Sequence, residues 1–117
     1  MSRTRRNAKD AGTRWNTACA QYLRDNGLPR VERRTQGGAR DKGDLAGIHK
    51  VAVECKDTAT HTLASFVAEA NKEAENAGEP IGVAWFKRRG KSSPGDGYVL
   101  LDGAAFARLA LLLEQLR

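Results

Sequence analysis

Between residues 8 and 26, Trp15, Ala18, Cys19, Tyr22 and Leu23 recur at i, i+3, i+4, i+7 and i+8. This is the stripe of an amphipathic helix, and Gly27 ends it. Residues 28–34 alternate loosely around Leu28 and Val31 and predict a short strand, followed by a polar, glycine-rich and basic loop over 35–43. Two more strands are expected over 44–48 and Val51–Lys56, too close in sequence for any link but a hairpin turn. In the second, Val51, Val53 and Cys55 share one face while Ala52, Glu54 and Lys56 share the other. Helical spacing returns with Leu63, Phe66, Val67, Ala70, Ala74 and Ala77; Thr58, Thr60 or Thr62 offers a cap and Gly78 a stop. Ile81–Phe86 is apolar almost without interruption, as a central strand covered on both faces must be. A basic loop over 87–96 and a strand over 97–101 lead to a last helix capped by Asp102. Its apolar positions are Phe106, Leu109, Ala110, Leu112, Leu113 and Leu116. The order α-β-β-β-α-β-β-α predicts an α/β fold, a mixed central sheet flanked by helices on both faces.

A chain of 117 residues with 40% apolar composition supports one compact domain with a modest core. Residues 1–7 read as a flexible basic arm and residues 8–117 as that single domain. No apolar run approaches the roughly 20 residues that span a bilayer. The basic start continues into Asn7, Lys9 and Asp10 rather than an apolar segment. Neither membrane insertion nor secretion is therefore expected, and the chain reads as cytoplasmic. Cys19 and Cys55, joined only by His49 and His61, make a poor zinc set, and both lie in apolar patterns that predict buried thiols. Trp15, Tyr22, Phe66, Trp85 and Phe106 occupy core positions of their elements. Tyr98 is then the aromatic left open to stack on a base.

Charge changes the picture. The net charge is +6, and residues 1–50 carry 12 Lys/Arg against 5 Asp/Glu, whereas residues 51–117 carry 8 against 9. Arg3, Arg5, Arg6, Lys9 and Arg14 form one cluster. Arg30, Arg33, Arg34, Arg40 and Lys42 form a second, and Lys87, Arg88, Arg89 and Lys91 a third. Any one cluster has a bland reading as a solvated face. Three together suit a polyanion, because each cation that neutralises a phosphate releases condensed counterions. A membrane surface is disfavoured, since the basic stretches lack interleaved apolar residues on an opposite face. DNA is the expected partner. Arg3, Arg5, Arg6, Arg14, Arg33, Arg34, Thr35, Gln36, Arg40, Lys42, Lys87, Arg88 and Arg89 are its expected contacts, with the 33–36 stretch leading directly toward Asp44.

The chemistry concentrates in Gly43-Asp44 and Glu54-Cys55-Lys56. Cleaving a phosphodiester requires neutralising charge on phosphorus, and a divalent cation held by two carboxylates does this while lowering the pKa of a bound water. Magnesium prefers hard oxygen ligands and keeps several waters, so two acids and one backbone carbonyl suffice. A lysine two residues along the same strand face can orient the attacking water or stabilise developing charge. Register decides whether Asp44 joins. Pairing Gly47 with Val51 across the three-residue loop Ile48-His49-Lys50 sets Asp44 opposite Glu54, the arrangement expected here. A two-residue turn at His49-Lys50 would put Leu45 there instead.

Gly43-Asp44-Leu45-Ala46-Gly47 followed by Val51-Ala52-Val53-Glu54-Cys55-Lys56 resembles the signature of the PD-(D/E)XK nuclease superfamily, an aspartate opening one strand and E-x-K on the next. The short chain, with an N-terminal helix, a basic strand and loop, G-D, V-E-x-K, a helix and a buried strand, most resembles the archaeal and phage type of Holliday junction resolvase. The resemblance covers roughly residues 8–101. It implies a restriction-endonuclease-like fold with Asp44, Glu54 and Lys56 as catalytic residues. Asp44, Glu54 and the carbonyl of Cys55 would hold Mg2+, with Mn2+ as a substitute. It further implies water attack on four-way junctions leaving a 5′ phosphate and a 3′ hydroxyl, by a homodimer that matches the two-fold symmetry of the junction. The last helix, Phe106 to Leu116, could supply that interface besides packing on its own sheet. Such resolvases carry a glutamate on the first helix shortly after a glycine. Gly12-Thr13-Arg14-Trp15-Asn16 has Asn16 there, so Asn16 or Asp10 would take its part. The competing readings are a non-catalytic DNA-binding protein on the same fold and another DNA nuclease of the superfamily.

Overall fold

The computed structural model describes residues 4–34 and 40–117. Helix α1 (Arg5–Asp25) starts earlier than its apolar stripe suggests, because the Thr4 hydroxyl accepts from the Asn7 amide and caps it. Arg5 and Arg6 therefore lie in the first helical turn and not in an arm; Arg3 is outside the described residues. There follow β1 (Glu32–Arg33), β2 (Leu45–Ala46), β3 (Val51–Lys56), α2 (Leu63–Ala77), β4 (Ile81–Phe86), a 3-10 turn at Pro94–Asp96, β5 (Tyr98–Leu100) and α3 (Gly103–Glu114). The order of elements is the expected one. Thr62 precedes α2, and Gly78 closes it in the left-handed conformation.

The five strands run β1-β2-β3-β4-β5 across the sheet; β3 and β4 are parallel and the other neighbours antiparallel. Long pairing is confined to β3 and β4, six residues each. On one face, α1 and α3 cover a core built around Trp15, Cys19, Val31, Leu45, Val53, Cys55, Ile81, Val83, Trp85 and Ala105. Both indoles in it are satisfied: Trp15 Nε1 donates to the Trp85 carbonyl and Trp85 Nε1 to the Pro94 carbonyl, each at 3.0 Å. Cys19 and Cys55 are free, buried thiols, as expected. On the other face, α2 sets Phe66 and Ala70 against Ala84 and Phe86. Among the described residues no helix is long and apolar enough to cross a membrane.

Helix α3 departs from the expected stripe. Ala105, Leu109 and Leu112 face the core, whereas Phe106 is 59% exposed, and Leu111, Leu113 and Leu116 also point outward. The cap fixes this rotation: Asp102 accepts from the Ala105 amide at 2.8 Å and from Asn71 Nδ2 of α2 at 2.9 Å, which ties the start of α3 across the sheet edge. Phe106 is thus not a core residue.

One contact governs how closely α2 lies on the sheet. A Cβ at Gly82 would fall 2.3 Å from the Ala70 carbonyl oxygen, so helix and strand backbones meet where a side chain would otherwise stand. This approach brings Glu73, three residues beyond Ala70, down onto β3. Gly82→Ala should overpack the contact and cost about 1–3 kcal/mol, a loss of roughly 4–8 °C in Tm per kcal/mol in thermal unfolding. Gly12→Ala, where the added methyl meets nothing within 4 Å, should leave Tm unchanged or raise it.

Candidate active site

Leu45 pairs with Val53, the register of the three-residue connection, and Asp44 accordingly lies beside Glu54. Gly43 makes this possible. Its φ is +101° and a Cβ there would sit 2.8 Å from the Val53 carbonyl oxygen, so the chain crosses over β3 at a distance open only to glycine. The Asp44 amide then donates to that carbonyl at 2.7 Å, Asp44 Oδ2 accepts from the Cys55 amide at 2.7 Å, and the Arg34 amide donates to the Asp44 carbonyl at 2.8 Å. Both backbone groups of a strand residue leave on the same edge. The Cys55 carbonyl therefore faces the Asp44 side, where a cation could take it. Its thiol cannot serve: the Cys19 thiol beside it and burial hold it well above the ordinary cysteine range, as a neutral core group.

Asp44, Glu54 and Cys55 line a cavity of about 520 Å³ with Lys9, Gly12, Thr13 and Asn16 of α1 and with Arg33 and Arg34. Asn16 thus occupies the wall facing the acids, while Asp10 is exposed and not part of that wall. Among the described residues, no acceptor meets the buried Nε of Arg34. Arg5, Arg6, Arg14 and Arg40 are exposed. Lys42 lines a separate cleft with Arg30 and His49, and Lys87, Arg88 and Arg89 line another beside Asp57 and His61. There, Lys87 Nζ lies 4.0 Å from Asp57, and the Arg88 guanidinium covers the exposed Tyr98 ring at 4.7 Å. Thr35 and Gln36 are outside the described residues.

Glu54 and Lys56 share the α2 face of β3, and that helix supplies acids of its own. Lys56 Nζ lies 3.3 Å from Glu54 Oε1 and 2.6 Å from Glu69 Oε2, above the Phe66 ring. Burial works against this ammonium, but the Glu69 and Glu54 carboxylates outweigh it and hold its pKa above the ordinary lysine value. Glu73 is only 2% exposed, and among the described residues no N–H or hydroxyl donor reaches either of its oxygens or Oε2 of Glu54, so the two acids can bond only to each other through a shared proton. Asp41 completes the group: carboxylate oxygens of Asp41, Glu54 and Glu73 all lie within 4.8 Å of one another. Burial pushes Glu54 up to about 11, with Glu73 and Asp44 adding to the effect; burial likewise raises Glu73 to about 7. Two carboxylates in this position must share a proton or a cation. All the oxygens that converge here are hard donors, of the kind Mg2+ and Mn2+ take.

Glu73, Glu69 and Asp41 were not among the expected site residues. A signal existed for Glu73, which falls at i+7 from Phe66 and i+3 from Ala70, inside the apolar stripe of α2 where a solvated charge has no place. Asp41 had none, since it is held by a contact 35 residues away, its carbonyl accepting from Asn76 Nδ2 at 2.8 Å. Comparison with protein-family models, with curated proteins and with solved structures finds no match to this chain.

The raised carboxyls set a pH dependence. Folded Glu54 and Glu73 keep their protons above the unfolded value near 4.5, so from that pH upward the folded state binds more protons and loses stability. With chelator present, Tm should fall between pH 5 and 7, and less steeply beyond pH 7, where the Glu73 share is complete. Glu73→Gln should flatten the first segment and raise Tm at pH 8 by several degrees. An unchanged profile in that variant would show that Glu73 ionises as freely folded as unfolded.

Proposed function

We propose that this chain is a metal-dependent DNA endonuclease of the PD-(D/E)XK type, acting on branched DNA such as four-way junctions. The observation that carries the reading is the convergence of Asp44 and Glu54 in one cavity walled by Lys9, Arg33 and Arg34, with the Lys56 ammonium 3.3 Å from Glu54. Asp44, Glu54 and the Cys55 carbonyl would hold Mg2+ or Mn2+, which when bound neutralises phosphate charge and makes water acidic enough to attack at neutral pH. Lys56, with its pKa held up by two carboxylates, keeps its proton and serves as a fixed positive charge for the developing negative charge, not as a base. Glu69 holds it in place. Lys9, Arg33 and the unsatisfied Nε of Arg34 offer donors to phosphate oxygens. Asn16 contributes an amide, which orients but adds no charge. The reading includes a homodimer, for which the outward Phe106, Leu111, Leu113 and Leu116 of α3 offer apolar surface.

One observation favours the non-catalytic alternative. Lys56 is nearer to Glu69, at 2.6 Å, than to Glu54, so its charge is already spoken for in the absence of substrate. Cleavage decides. With Mg2+, four-way junctions should be nicked to 5′ phosphate ends, and linear duplex of the same sequence cut more slowly. Asp44→Asn and Glu54→Gln should abolish cutting while DNA binding survives or tightens, because a carboxylate that repels phosphate is gone. Lys56→Ala should lower kcat by a factor on the order of 10² with little change in affinity. Wild-type protein that binds DNA but cuts nothing in Mg2+ or Mn2+ would leave the binding-protein reading in possession.

The same reading sets a salt dependence. If Lys9, Arg33 and Arg34 each touch one phosphate, alanine at any of them should make the slope of log affinity against log salt shallower by about 0.9, irrespective of DNA sequence. A triple variant with the wild-type slope would remove this wall from the DNA interface.

A further inference from the structure

Outside the Asp44 edge, one group of side chains has no structural account. Glu73 is almost wholly buried, and among the described residues no N–H or hydroxyl donor reaches its oxygens or Glu54 Oε2 beside it; the two acids have only a proton shared between them. A buried acid serving only the fold would have found donors or been replaced by an apolar residue, since the uncompensated group costs stability. The surroundings are organised to keep it so. Gly82 lets α2 approach closely enough to press Glu73 onto β3. One turn further along the same helix, Asn76 grips the Asp41 carbonyl and holds its loop against α2. The Gly43 amide donates to Asp41 Oδ1 at 2.9 Å, which orients that carboxylate. Three acids from a loop, a strand and a helix thus turn carboxylate oxygens toward one point, all within 4.8 Å of one another. Oxygens on one hard cation, at bond lengths of about 2.1–2.5 Å, are spaced about 3–5 Å apart.

We infer that Asp41, Glu54 and Glu73 form a site for a hard divalent cation, Mg2+ or Mn2+, distinct from the position at Asp44 and sharing Glu54 with it. The inference rests on the endonuclease reading for its purpose, not for its geometry. A shared carboxylate between two cation positions is the arrangement that lets one ion serve the attacking oxygen and the other the leaving oxygen of a phosphodiester. The acid that the wall of α1 lacks at Asn16 is then supplied from the opposite side of the sheet, by α2.

Mn2+ binding by the 117-residue chain, without DNA, tests this. Free Mn2+ is counted by electron paramagnetic resonance, with Tm measured in chelator and in Mn2+. Wild-type protein should bind two ions. Glu73→Gln should lose one or weaken it by about tenfold or more; Asp44→Asn should retain that ion, and Glu54→Gln should disturb both. Glu73→Gln should also be more stable than wild type in chelator but gain less Tm from Mn2+, a pair of opposite signs that a merely structural role would not produce. Asp41→Asn, a change in a half-buried loop, repeats the binding test should Glu73→Gln fail to fold. Mn2+ binding unaltered in both Glu73→Gln and Asp41→Asn, but lost in Asp44→Asn, would overturn this site and leave the endonuclease reading standing. Wild-type protein that binds no Mn2+ would overturn both.

Discussion

Helix α2 rests on the parallel pair β3 and β4 with backbone against backbone at Gly82, and the pressing of Glu73 onto β3, beside Glu54, follows from that approach. Ala70 and Ala74 line the contact with side chains small enough to allow it, while Phe66 and Phe86 pack against each other between the same two layers. The helix therefore leans on the sheet through its small residues. Glu73 lies between them in sequence and cannot escape to solvent. Had Gly82 been any other residue, the helix would stand further off and Glu73 would be one more solvated charge on its flank.

The molecule thus keeps carboxylates where they weaken it. Glu54 and Glu73 favour the unfolded chain at neutral pH, and the apolar layers on both faces of β3 and β4 must offset them. Such unfavourable groups persist in folds that use them, and stability given up at a site is commonly the counterpart of binding there. The indole chain from Trp15 through Trp85 to Pro94, on the opposite face, is correspondingly complete, with each donor met. One face is built for rigidity and the other left with unmet demand.

How much of this was legible in the sequence depends on the range of the interaction. Periodicity identifies every element in order, and alternation along Val51–Lys56 correctly assigns Glu54 and Lys56 to one face, because these are local properties of the chain. The sequence allowed either the three-residue connection Ile48-His49-Lys50 or a two-residue turn, and the expected three-residue register, which sets Asp44 opposite Glu54, is the one observed. The start of α1 escaped because capping by Thr4 recruits polar residues that no apolar stripe marks. The rotation of α3 escaped because Asn71, thirty-one positions away, reaches Asp102 and overrides the pattern of leucines. Asp41 escaped for the same reason in sharper form, since its partner Asn76 lies on another element, whereas Glu73 was marked locally by its place in the apolar stripe of α2 but not by any sign of which groups it would meet.

Strand β3 carries two chemistries on its two sides, apolar Val51, Val53 and Cys55 toward α1 and α3, and Glu54 with Lys56 toward α2. Because the side-chain period of a strand is two, a slip of one residue against β4 would exchange them, sending an acid and an ammonium into the tryptophan layer and leaving valines to face the acids of α2. That exchange is so unfavourable that the placing of Glu54 and Lys56 is tied to the formation of the core itself. A chain in which the carboxylate and the lysine are misplaced is also a chain without its apolar layers.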